Sequence, residues 1–94
     1  MLPTHRTATH PGRVLQHEFL GPMDLSQKAL ALHLGVSVQR VNELVRGKRG
    51  VSAETAWLLA EAFGTSPEFW INLQTAHDLS VHRPRRHIAR IEAT

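Results

Sequence analysis

Apolar residues recur at three- and four-residue spacing along most of the chain, and short polar or glycine-rich breaks divide them into runs. The first run opens at His10-Pro11-Gly12, where proline suits an initial helical turn, and carries Val14, Leu15 and Phe19 to about Leu20. Gly21-Pro22 stops it. Ser26 is an N-cap for a second helix over Gln27–Leu34, with Leu30 and Leu34 on one face and Gly35 at its end. Ser37 caps a third, Val38 to about Arg46, whose apolar stripe is Val41, Leu44 and Val45. Ser52 starts a fourth over Ala53–Phe63, and Ser66-Pro67 a fifth bearing Phe69, Trp70, Leu73, Ala76 and Leu79. No stretch before the tail alternates as a strand does, and nothing repeats. The pattern predicts an all-α bundle at residues 10–81, preceded by a loose arm (1–9) and followed by a basic tail (82–94) that is expected to be mobile around Pro84 and solvated, with docking through Ile88 and Ile91 as a short helix or strand left open.

Composition narrows the class. Ninety-four residues, 41% of them hydrophobic, suit one domain with a single core. The absence of cysteine excludes a disulfide framework, a thiolate metal cluster and a cysteine nucleophile. No apolar run approaches the ~20 residues of a membrane span, and Met1–His10 lacks the apolar segment of a secretion signal. A cytoplasmic protein is expected, with no membrane partner.

The charge is unevenly placed. Residues 37–50 hold Arg40, Arg46, Lys48 and Arg49 against Glu43 alone, and residues 82–94 hold Arg83, Arg85, Arg86 and Arg90 against Glu92. Residues 51–81 contain Glu54, Glu61, Glu68 and Asp78 with no lysine or arginine. A basic cluster inside a folded region points to a polyanion or to a solvated face. Its setting favours the polyanion. Two short helices joined across Gly35 make the signature of a helix-turn-helix at about 26–46, with Ala29 as the small residue where the helices cross. With Val36, Val41 and Leu44 turned inward, the third helix is left with a polar remainder of Gln39, Arg40, Asn42, Glu43 and Arg46. Glutamine can pair with an adenine edge, glutamate can accept from cytosine N4, and cations neutralise phosphates.

Leu25-Ser26-Gln27, Gly35-Val36-Ser37 and Arg46-Gly47-Lys48 resemble the helix-turn-helix of lambda-type repressors. His10-Pro11-Gly12, Val41–Arg49 and Phe63–Gln74 resemble the HigA-type antitoxin branch of that superfamily, so the likeness covers about 10–81. The resemblance implies a five-helix lambda-repressor-like domain that dimerises, binds a palindromic operator, represses its own operon and neutralises a HigB-type toxin, a small basic ribonuclease that cuts messenger RNA. It places Gln27 on a phosphate, Ser37, Val38, Gln39, Arg40 and Glu43 in the major groove, and Asn42, Arg46, Lys48 and Arg49 nearer the backbone. Val38 departs from the polar residue often used there and would meet a thymine methyl.

The fifth helix is the expected dimer surface, through Phe69, Trp70, Leu73 and Leu79, with Trp70 also a core candidate and Trp57 open to either role. The acidic stretch suits a basic toxin, as do the first helix and its arm. Seven histidines show no metal-ligand spacing and read as solvated or capping residues. No acid–base pair or phosphate loop appears, so neither enzyme activity, cofactor nor small-molecule substrate is expected. Two alternatives stay open: a stand-alone repressor without a toxin, and an interaction module that has lost DNA binding.

Overall fold

The computed structural model describes residues 7–92, which form five helices and no strand. Helix α1 starts as α-helix over Pro11–Val14 and continues with π-helical geometry over Leu15–Leu20. Bonds from residue i to i+5 widen that second part, and its last turn closes with Gly21 N–H on Gln16 O at 2.8 Å. Residues five apart then face one way, so Leu15 and Leu20 are both buried. An uninterrupted α-helix, as the apolar spacing predicts, would have separated them.

The remaining four helices lie where the punctuation places them: α2 Gln27–Leu34, α3 Val38–Val45, α4 Ala53–Phe63 and α5 Pro67–Val81. Each begins with a serine whose hydroxyl accepts the amide three residues on: Ser26 from Ala29, Ser37 from Arg40, Ser52 from Thr55 and Ser66 from Phe69, at 3.0–3.2 Å. Helix α1 is capped differently. His10 Nδ1 accepts the Gly12 N–H at 2.9 Å. Gly35, at φ 74°, adopts the left-handed conformation that turns α2 into α3.

Leu15, Leu20, Leu30, Val41, Leu44, Ala56, Leu59 and Trp70 supply most of the core. Trp70 has no exposed surface; it contacts Phe19 and Phe63, and its indole N–H donates to Thr65 Oγ1 at 2.8 Å. Helix α2 packs on α3, α4 on α5, and α1 bridges α3 and α5. The small residue that α2 turns inward is Ala31, whereas Ala29, expected at the crossing, is exposed, because the buried face follows Leu30 and Leu34.

The start of the chain also departs from expectation. Ala8 is tied down within the supposedly loose arm: its N–H donates to Ser80 Oγ at 3.0 Å, and its carbonyl accepts from His77 Nδ1 at 2.9 Å. Residues 1–6, the rest of that arm, lie outside the described residues. Residues 82–92 form neither helix nor strand and Ile88 and Ile91 are exposed, in keeping with a solvated tail and not with the docked alternative.

Candidate nucleic-acid interface

Helix α3 is held to the bundle by Val41 and Leu44, both buried, with Val36 and Val45 packed beside them. That seating decides what faces outward. Ser37, Val38, Gln39, Arg46, Lys48 and Arg49 are exposed, and half of Val38 is open to solvent. They form a continuous surface from the start of α3 to the loop beyond it. The side chains on it are small, apolar or amide at the helix start and cationic at its exit.

Three contacts bring separate elements together here. Asn42 Nδ2 donates to Gln27 Oε1 at 3.1 Å, joining mid-α3 to the first turn of α2. Glu43 accepts Arg49 Nε and Nη2 on one carboxylate oxygen, at 3.1 and 2.9 Å, and Gln39 Nε2 on the other at 3.5 Å. The exit loop is shaped by the backbone as well: the amides of Lys48 and Arg49 donate to the Glu43 carbonyl at 2.8 and 3.2 Å. On its far side the Val51 N–H donates to Gln74 Oε1 at 2.7 Å, which fixes the loop to α5.

Arg40 is placed differently from the expectation. Its Nη2 donates to Glu54 Oε1 at 3.0 Å and to the buried Thr55 Oγ1 at 2.7 Å, so its guanidinium is turned onto α4 and away from the outward face of α3. Sequence reasoning missed Thr55 and Gln74 as supports of this surface, and read Glu54 as part of the acidic stretch. Their partners are 15, 23 and 14 positions away, and no local pattern signals such contacts.

Behind the exit loop sits His10. Its ring lies under Gly47 and meets His77 edge-on, with ring centroids 4.8 Å apart. Burial, and then the neighbouring His77, push the His10 pKa below 6.5, with Asp78 working in the opposite direction. The capping bond to Gly12 has the same requirement, since Nδ1 accepts only when it carries no proton.

Helix α5 sorts the expected dimer residues. Leu79 is largely exposed, Phe69 is 39% exposed and Leu73 is half-buried. Trp70 is a correction: it is sealed inside its own protomer and has no surface to give a partner. Trp57, left open by the sequence, is 59% exposed on α4. Among the described residues no helix is long and apolar enough to cross a membrane, and no group of three or more histidines and carboxylates is placed to hold a metal ion.

The helix-turn-helix family profile matches residues 17–70. Antitoxin HigA-1 of Vibrio cholerae is 45% identical over 80 residues, covering 84% of this chain and 74% of that protein. The chain belongs to the helix-turn-helix family, in its HigA-type antitoxin branch. Virulence-associated protein I of Dichelobacter nodosus is 50% identical over 74 residues, covering 79% of this chain and 68% of its own length. The antitoxin HigA of Pseudomonas aeruginosa, solved with the higBA promoter, superposes with a TM-score of 0.76 at 46% identity, over 78% of this chain and 79% of that one. The all-α, five-helix architecture expected from the sequence is therefore also that of antitoxins in this branch.

Proposed function

We propose that this chain is a cytoplasmic, sequence-specific DNA-binding antitoxin of a type II toxin–antitoxin module. As a homodimer it represses its own operon, and it neutralises a HigB/RelE-like toxin that cleaves messenger RNA. The unit that does this runs over residues 10–81. The observation that carries the reading is the outward face of α3: Val38 and Gln39 are exposed at the start of a helix anchored by Val41 and Leu44, with Arg46, Lys48 and Arg49 at its exit. A chain 46% identical to this one is solved with promoter DNA. Gln39 reads a base edge, Val38 packs on a thymine methyl, and the exit cations lie along phosphates.

One copy reads half an operator. Two copies related by a two-fold axis, joined through the exposed side of α5 around Phe69, Leu73 and Leu79, would put their α3 helices one DNA turn apart, ~34 Å. The deciding experiment measures binding of the purified chain to the duplex upstream of its own gene and to a scrambled duplex. It is paired with co-expression of a small basic protein encoded beside the gene, where the neighbourhood holds one. Preference for the upstream duplex together with relief of growth arrest supports the reading; equal affinity for both duplexes overturns the DNA half, and persisting arrest overturns the toxin half.

A stand-alone regulator is the second reading. A relative named as an HTH-type transcriptional regulator, YbaQ of Escherichia coli at 42% identity over 74 residues, is what favours it. A gene neighbourhood without a small basic reading frame, alongside specific DNA binding, would decide for that alternative.

A further inference from the structure

Four cations surround α3, and they are not equally free. Arg46 and Lys48 have no carboxylate partner among the described residues, whereas Arg40 and Arg49 do. Arg40 is anchored twice, on Glu54 and on buried Thr55, and its side chain is only 27% exposed. Arg49 has Glu43 as its side-chain partner, and its own side chain is 50% exposed. The first arrangement is a fixture. The second is exchangeable, because an exposed ion pair contributes little.

The pairing of Arg49 with Glu43 is arranged by the backbone. The loop amides of Lys48 and Arg49 return to the Glu43 carbonyl, so the loop closes over the residue whose carboxylate then takes the guanidinium. That carboxylate lies on the outward side of α3 and also accepts from Gln39, the amide assigned to a base edge. Glu43 thus belongs to two groups at once: the one that reads bases and the one that neutralises phosphates.

We propose that Glu43 is an internal counterion that withholds Arg49 from DNA phosphates unless the sequence in the groove satisfies its carboxylate. The inference rests on the DNA-binding reading and deepens it. A phosphate that takes the Nε–Nη2 edge of Arg49, the edge suited to a bidentate contact, strips it from Glu43 and leaves an uncompensated carboxylate facing a polyanion. Where the duplex presents a cytosine amino group, Glu43 accepts from N4 and Arg49 is released at no such cost. On any other sequence the cost stands. Specificity here comes from a repulsive element as much as from an attractive one.

The test is binding of the wild-type chain and of Glu43→Gln to the upstream and scrambled duplexes, followed by fluorescence anisotropy as salt rises from about 50 to 200 mM. Freed Arg49 adds one phosphate contact, so Glu43→Gln binds the scrambled duplex about fivefold to tenfold more tightly, with a salt slope steeper by about 0.9. The upstream duplex gains less, and the ratio between the two falls. In an Arg49→Gln background, Glu43→Gln leaves the slope unchanged. Glu61→Gln makes the same charge change at an exposed position of α4 that has no arginine partner among the described residues, and leaves the ratio unchanged. The proposal is overturned if Glu43→Gln raises both affinities equally, or if its effect survives without Arg49, since either result is bulk charge alone. If the wild-type chain prefers neither duplex at any salt, the DNA-binding reading itself fails and the proposal goes with it.

Discussion

Gly12 of α1 lies directly against the main-chain carbonyl of Leu44 in α3, so close that a β-carbon at position 12 would overlap that oxygen. The first helix and the end of α3 therefore meet backbone to backbone. Leu44 is itself buried, and the same stretch of α1 carries the His10 cap.

Gly12→Ala is expected to destabilise the fold by about 1–3 kcal/mol, the usual cost of forcing extra volume into a packed contact. Urea denaturation gives the value. An unchanged midpoint would mean that α1 and α3 separate easily.

The two tryptophans should answer differently to truncation. Trp70→Ala removes the ring at the junction of Phe19 and Phe63 and is expected to cost about 3–5 kcal/mol. Trp57→Ala, on the exposed side of α4, stays within about 0.5 kcal/mol of wild type in the isolated protomer. Equilibrium unfolding of both variants, with fluorescence following the tryptophan that remains, separates them.

Acid should weaken the fold through His10. Its folded pKa lies below the unfolded value of 6.5, so between those two values the unfolded chain binds a proton that the folded chain refuses. Stability therefore rises with pH across that window and is lost as pH falls from 6.5. His10→Asn supplies a capping oxygen without a titrating ring. Its melting temperature is expected to decline less steeply than that of wild type over the same range. Parallel declines would remove His10 from the account.

On DNA, the α3 face and the exit loop should fail in distinct ways. Gln39→Ala is expected to relax base preference and to cost about 1–3 kcal/mol at the preferred site. Arg46→Ala weakens all sequences alike and lowers the salt slope by about 1. Competition binding with single-base variants of the upstream duplex distinguishes the two; an identical, sequence-blind loss would misplace the groove face.

For self-association, Leu79→Asp and Phe69→Asp are the informative changes, because both side chains are partly open to solvent on α5. A shift of solution mass from dimer to monomer in light scattering is the expected result. A mass unchanged by either would move the interface off this helix.

Much of this was legible in the sequence because its signals are local. Each serine cap acts on an amide three residues away, Gly35 acts on its own φ, and helical periodicity relates residues within about two turns. The resemblance added the groove-facing assignment of α3, and the packing of Val41 and Leu44 leaves Ser37, Val38 and Gln39 exposed. Arg40 illustrates the limit. Its residue type and helix position both suit DNA, yet Glu54 and Thr55 claim its guanidinium from the next helix.

The sequence by itself determined the number and ends of α2 to α5, the all-α class and the concentration of cations at the end of α3, since propensity, capping and periodicity act between near neighbours. Only the tertiary structure decided that α1 widens to bury both Leu15 and Leu20, that Trp70 is sealed while Phe69 is not, and that Ala8 is pinned to Ser80. It alone also settled which arginine is fixed and which is held by Glu43. Each of those outcomes depends on how helices distant in the chain pack together, and that packing sets the direction and burial of every side chain between them.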